Sequence, residues 1–278
     1  MNWEQSVQWL RSQPDKRDLV IASYYDDPLI QAARRYCGSD EWNAILSYLP
    51  SPAGSRALDV GAGRGIASYA LAKRGFQVTA LEPDSSALVG AEAIRSLARE
   101  EHLAIDVVEE LSEQLPFDDE QFDLVFCRAV LHHTRDLQAA CREFFRVLKP
   151  GGVFIAVREH VLSDPADLEK FLNLHPLHAM YGGENAFVLK HYVNSIDKAG
   201  FTLDSVLAPL RSPINLAPYT TRSFKLELAK RASSGSVHVE RALSTVLNVP
   251  GIWPLARILI ELIDRRPGRL YSFVAHRA

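Results

Sequence analysis

Ala57-Leu58-Asp59-Val60-Gly61-Ala62-Gly63-Arg64-Gly65 decides the fold. A short apolar run ends in clustered glycines, and Ile66 to Ala72 then follows at helical spacing. That order reads as strand, tight turn and helix. Glycines let a backbone turn sharply and come close to a ligand. The helix start behind them offers unpaired N–H groups. A glycine-rich turn that binds nothing is the structural alternative.

Working outward, strand and helix patterns alternate. Strands are predicted over 77–81, 104–108, 122–126 and 153–157, with helical faces over 88–97 and 137–148. Such alternation implies βαβ units, hence a Rossmann-like α/β fold with a parallel sheet covered on both faces. Ligands then bind at the carboxyl ends of the strands, where strand order reverses. Residues 1–50 read as helical: Trp42, Ile45, Leu46 and Leu49 repeat behind a Ser39-Asp40 start. Residues 50–54 read as a loop. After 160 the pattern loosens. A helix is predicted from near Ser163, ended by His175-Pro176, followed by a loop. Another helix spans 187–199 and stops at Gly200. A strand over 201–207, helices across 221–264 and a closing strand over 270–275 complete the chain. No internal repeat and no low-complexity tract interrupts it.

Composition narrows the function. The chain has 278 residues, 47% hydrophobic and 23% charged, with a net charge of −3. This is the make-up of an ordinary globular protein able to bury a core without staples. A slightly acidic chain offers no general grip on nucleic acid phosphates, so no nucleic acid partner is expected. Three widely spaced cysteines with no C-x-x-C argue against disulfides and zinc. With neither a signal-peptide pattern nor a long apolar run, the expectation is a cytoplasmic protein without stable membrane insertion.

Glu82 lies at the end of the second strand, where a carboxylate can accept both hydroxyls of a ribose. Glu82-Pro83-Asp84 also reads as a strand end and helix cap. Taken with the glycine turn, Glu82 implies a nucleoside-bearing cofactor. The spacing is G-x-G-x-G, not the G-x-G-x-x-G that sets a helix dipole on a pyrophosphate. Asp59, just before the glycines, would repel a pyrophosphate but suits an ammonium. Both features favour S-adenosylmethionine (SAM) over a dinucleotide.

With these residues the chain resembles the class I SAM-dependent methyltransferases, in particular the small-molecule group that includes quinone-biosynthesis enzymes. The likeness runs over about 55–160. It rests on 57–65, on Val78-Thr79-Ala80-Leu81-Glu82-Pro83-Asp84, on 115–123 continuing to Leu131-His132-His133, and on Arg146-Val147-Leu148-Lys149-Pro150-Gly151-Gly152. The resemblance implies a seven-stranded sheet whose last strand is antiparallel. It also implies SAM as cofactor and S-adenosylhomocysteine as product. Asp59, Gly61, Ala62 and Gly63 would line the methionyl part, Glu82 the ribose, and Pro83 or Asp84 the adenine. Arg128, Ala129 and Val130 would sit near the sulfonium, and Tyr25, within Tyr24-Tyr25-Asp26-Asp27, would close over the cofactor, a plain surface turn being the structural alternative. Many relatives carry an acidic residue where this chain has Leu111. Ser112 would still offer its backbone N–H to the ring. The implied layout is an N-terminal helical cap (1–50), a SAM-binding core (51–209), a helical insertion over the substrate side (210–266) and the last core strand (267–278).

Methyl transfer needs the acceptor in line with the S–CH₃ bond, and a base where that acceptor keeps its proton. Arg158-Glu159-His160 follows the fifth strand. His160 or Glu159 is the expected base, and Arg158 would steer an acidic acceptor; structurally, Glu159 and Arg158 would simply pair. His133 could touch the acceptor, or the His132-His133 pair could only cap a helix. His175, His178 and Tyr181 would line the acceptor pocket. Glu159, His160, His175 and His178 match no known ligand spacing, so no metal is expected. The helix over 252–264 reads as buried with one wet edge formed by Arg257, Glu261 and Asp264. A lid for an apolar substrate, or a membrane-surface contact helped by Arg265, Arg266 and Arg269, is the sharper alternative. The expected partner is a small-molecule acceptor, and oligomeric state has no signature here. A non-catalytic SAM-binding module and a nicotinamide-dependent oxidoreductase are the rival functions.

Overall fold

The structure is a computed structural model. It describes residues 1–174, 176–181 and 185–278, with Pro176, Ala179 and Tyr181 described by backbone alone. Eight strands form one sheet: β1 (Arg56–Val60), β2 (Gln77–Leu81), β3 (Ile105–Val108), β4 (Phe122–Arg128), β5 (Leu148–Leu162), β6 (Phe187–Val188), β7 (Thr202–Leu207) and β8 (Gly268–His276). Their order is β3-β2-β1-β4-β5-β8-β7, and two-residue β6 pairs with the far end of β5. β8 runs antiparallel to both β5 and β7, and the other pairings are parallel. The expected Rossmann-like sheet with an antiparallel last strand is present, extended by β6.

Alternation along the central strands shows why both faces are covered. Leu58, Val60, Val125 and Cys127 pack into one apolar layer. Ala57, Leu124, Phe126 and Ile155 pack into the other. Strand order reverses between β1 and β4, so the carboxyl ends of β1, β2, β4 and β5 surround a crevice. β5 carries a bulge against β8 between Ala156 and Glu159, where Arg158 takes φ of 60°. Such a bulge re-aims the side chains beyond it.

The N-terminal helices Trp3–Ser12, Arg17–Ala22, Leu29–Cys37 and Asp40–Ile45 are tied to the glycine turn by Arg64. Its guanidinium donates to the Tyr24 carbonyl (3.0 Å), the Asp26 carbonyl (2.9 Å) and the Asp27 carboxylate (2.6 Å). Ser39 caps the last of these helices by accepting from the Trp42 N–H at 3.1 Å.

Three expectations fail. The predicted loop after His175 contains a helix, Pro176–Tyr181, which opens on a proline already set at helical φ. The helix predicted over 187–199 spans Leu189–Lys198, because Phe187 and Val188 join the sheet. The helix Ile252–Ile263 has no buried residue. Its apolar edge is exposed and its polar edge is turned inward, the reverse of the expectation. Hydrogen bonds explain the reversal: Arg211 reaches Glu261 at 3.2 Å, and Arg269 reaches Asp264 at 2.9 Å.

Candidate functional site

A cavity of about 990 Å³ opens at the carboxyl edge of the sheet. One wall is the turn after β1. Gly61, Gly63 and Gly65 all have φ between 55° and 79°, a region that favours glycine. A methyl group on Gly61 would lie 2.7 Å from a Val130 methyl, so the turn must stay bare there. Glu82, just past β2, braces this turn. One carboxylate oxygen accepts from the Gly63 N–H at 2.6 Å, and the other from the Asp84 N–H at 3.0 Å. Asp59 accepts from the Ser68 hydroxyl at 2.5 Å. Burial pushes both carboxyls up to about 7, and for Asp59 the neighbouring Glu82 charge adds to the rise. Neither carboxyl has a cation against it, and each oxygen that already accepts one hydrogen bond keeps a further lone pair for a ligand.

A second part of the lining is rich in histidine and aromatic rings. His132, His133, His160 and His178 all line the cavity. The His132 ring stacks on His160 with centroids 4.1 Å apart, and lies 4.3 Å from that of His133. His160 also meets Phe171 edge-on at 5.0 Å and His178 at 5.6 Å. Burial holds His133 and His160 well below the usual imidazole range, with the charges of His132 and His178 adding to the effect. Both are therefore neutral imidazoles at neutral pH, and the His160 Nδ1 atom is buried without a hydrogen-bond partner.

Glu159 is completely buried behind His132. It accepts from the Val130 N–H (3.0 Å) and the His132 N–H (3.2 Å), and lies 2.8 Å from His132 Nδ1. A fourth carboxylate, Glu41, is also buried. It pairs with Arg128 through two contacts of 2.6 and 3.1 Å, and lies 3.8 Å from Arg158. The Arg128 guanidinium sits over the rings of Tyr24 and Tyr36 at 5.4 and 5.3 Å. That geometry suits a desolvated cation.

Residues 58–156, which hold the glycine turn, Glu82 and the His132-His133 pair, match the family model described as a methyltransferase domain. Over these residues the chain is similar to methyltransferase domains. Its sequence is 40% identical over 102 residues to a ubiquinone biosynthesis O-methyltransferase of Pseudomonas fluorescens, covering 36% of this chain and 42% of that protein. The chain thus spans less than half the length of the curated relatives it matches. Among solved structures, it resembles a geranyl diphosphate C-methyltransferase from Streptomyces coelicolor A3(2) at a TM-score of 0.61 and 15% identity, covering 96% of this chain and 85% of that one. It also resembles the [4+2]-cyclase SpnF at a TM-score of 0.57 and 21% identity, covering 88% and 80%. At these identities the structural likeness shows a shared fold.

Within the matched residues, Asp59, Gly61, Ala62, Gly63, Glu82, Pro83 and Ser112 line the cavity. So do Tyr25, which meets Trp3 edge-on at 6.1 Å, and Arg128. Two expectations need correction. Glu159 does not face the cavity: the bulge in β5 turns it behind His132, so no acceptor proton can reach it directly. Nor does it pair with Arg158, which points the other way. Arg158 lines the cavity but is not a free cation for an acidic acceptor. Its guanidinium donates to the carbonyls of Ile214 (3.2 Å) and Ala217 (2.8 Å) beside Glu41. His175, and the Tyr181 side chain, lie outside the described residues. Among the described residues no cluster of His, Cys, Asp and Glu could hold a metal ion. Sequence reasoning missed Glu41, whose partner is 87 residues away. It also missed Trp3, Leu19 and Leu177, which enclose the cavity from distant segments.

Proposed function

We propose that this protein transfers the methyl group of SAM to an oxygen or nitrogen atom of a small-molecule acceptor, chiefly by positioning. Asp59 receives the ammonium of the methionyl tail, Glu82 the ribose hydroxyls, and the segment at Glu110 to Glu113 flanks the adenine. The acceptor occupies the histidine-lined wall. The observation that carries this reading is one cavity lined both by the carboxylates Asp59 and Glu82 and by the imidazoles of His132, His133, His160 and His178. His160 is the proposed base, because a neutral, half-buried imidazole with an unpartnered nitrogen can take a proton as the acceptor attacks. His132, gripped by Glu159, is a positioning residue that fixes the His160 ring by stacking. The methyl leaves sulfur as the acceptor lone pair forms the new bond, and S-adenosylhomocysteine departs.

A non-catalytic or non-methylating use of the same site is the second reading, since a cyclase shares the fold. Calorimetric titration with SAM and with NAD, followed by an acceptor screen that reads S-adenosylhomocysteine, decides between them. SAM binding with no response to NAD, and product formed with some acceptor, supports methyl transfer. SAM binding without product from any acceptor supports the second reading, and silence with SAM defeats both.

A further inference from the structure

The segment between β7 and β8 is built inside out. In the helix Ile252–Ile263, Leu255, Ile258, Leu259, Leu262 and Ile263 are 44 to 73% exposed. These positions recur at helical spacing and form one stripe. Arg257 Nε and Glu261 Oε1 on the inward stripe are buried without partners. An amphipathic helix facing water adopts the opposite orientation. Val246 and Val249, at the bend into this helix, add 50% and 48% exposed apolar surface. An apolar surface this continuous marks a contact site.

Charge indicates what covers it. Residues 210–270 hold ten Lys and Arg against four Asp and Glu, a surplus of six positive charges in a chain whose total is −3. Two copies meeting through this face would bring two such surpluses together. An anionic lipid surface answers both the charge and the apolar stripe. The helices Val237–Leu247 and Ile252–Ile263 have 11 and 12 residues and meet at a bend of 110°. Each is too short to cross a bilayer, so the pair fits a position in the interface plane. Arg266, Gly268, Arg269 and Leu270, just beyond the apolar helix, line the cavity. A docked protein would therefore hold one wall of its cavity at the lipid surface.

We infer that the helices over 237–263 dock this protein peripherally onto anionic membranes. The inference does not rest on methyl transfer. The test is sedimentation of the full chain with vesicles of phosphatidylcholine alone and of phosphatidylcholine mixed with phosphatidylglycerol. The mixed vesicles should carry the protein down, less so at high salt. Leu255→Ser, Leu259→Ser and Leu262→Ser combined should lower the bound fraction about tenfold while SAM affinity and Tm stay unchanged. Wild-type protein that stays in the supernatant with mixed vesicles overturns the inference. So does equal binding to both vesicle types, or a triple variant that binds like wild type. A concentration-dependent dimer that the triple variant dissolves would assign the face to a second copy instead.

Discussion

The two walls of the cavity titrate in reverse order. In water a carboxyl loses its proton well before an imidazolium does. Here Asp59 and Glu82 are pushed up to about 7, while His133 and His160 are held well below the usual 6.5. Burial is the first cause on both walls. It penalises whichever form is charged, so it raises acids and lowers bases. At neutral pH Asp59 and Glu82 are only partly ionised, and His133 and His160 are uncharged. The comparison suggests a division of labour: one wall awaits a cation, and the other accepts a proton without first carrying one.

The sharpest way to break that division is His160→Ala. If the histidine wall serves the acceptor, turnover at saturating SAM should fall by about 100-fold or more while SAM affinity stays within a factor of two or so. Calorimetry beside a product assay reads both, and a loss of SAM affinity instead would merge the two walls. Glu82→Ala is the mirror test. Losing charged hydrogen bonds to a ribose should weaken SAM binding by roughly 10- to 100-fold, read by the same calorimetry.

Acidity separates the walls more gently. A ligand cation favours ionised Asp59, so SAM affinity should drop roughly tenfold between pH 8 and pH 6, with proton release on binding near pH 7. Turnover at saturating SAM should keep its acid limb below 6.5, because His160 resists protonation. An acid limb at or above 6.5 would remove His160 as base. Titrations in buffers of different ionisation enthalpy, and a kcat–pH profile, check the pair. The smallest effect expected is on the empty protein. The folded-state pKa of Asp59 lies above its unfolded value, so the stability of its neutral form is complete below about 4 and is lost as pH rises through about 7. Asp59→Asn should therefore raise Tm by a few degrees at pH 8, and the gain should shrink as pH falls and vanish below about pH 4. Thermal unfolding at the two pH values reads it.

These two walls were not equally legible in the sequence. The carboxylate wall is local: Asp59, the glycines and Glu82 sit at strand ends, and strand period, glycine spacing and chain order each report them. The histidine wall depends on where β5 bulges. His160 reads as a candidate beside its strand, but the turn that hides Glu159 and aims it at His132 has no sequence period. The helix over 252–264 shows a deeper limit. Its amphipathic stripe is plain in the sequence, yet a stripe does not say which edge faces the protein. Ion pairs with Arg211 and Arg269 settle that, and they come from segments outside the helix.

Glu41 carries a consequence for ancestry. This one buried carboxylate stands between Arg128 at 2.6 Å and Arg158 at 3.8 Å, two cations delivered by different strands. Removing it alone strands two guanidiniums in the interior. The three positions should therefore drift as a set. A descendant lineage with a neutral residue at 41 should also have surrendered the cation at 128 or 158, and the order of those changes should show an arginine leaving before the glutamate does.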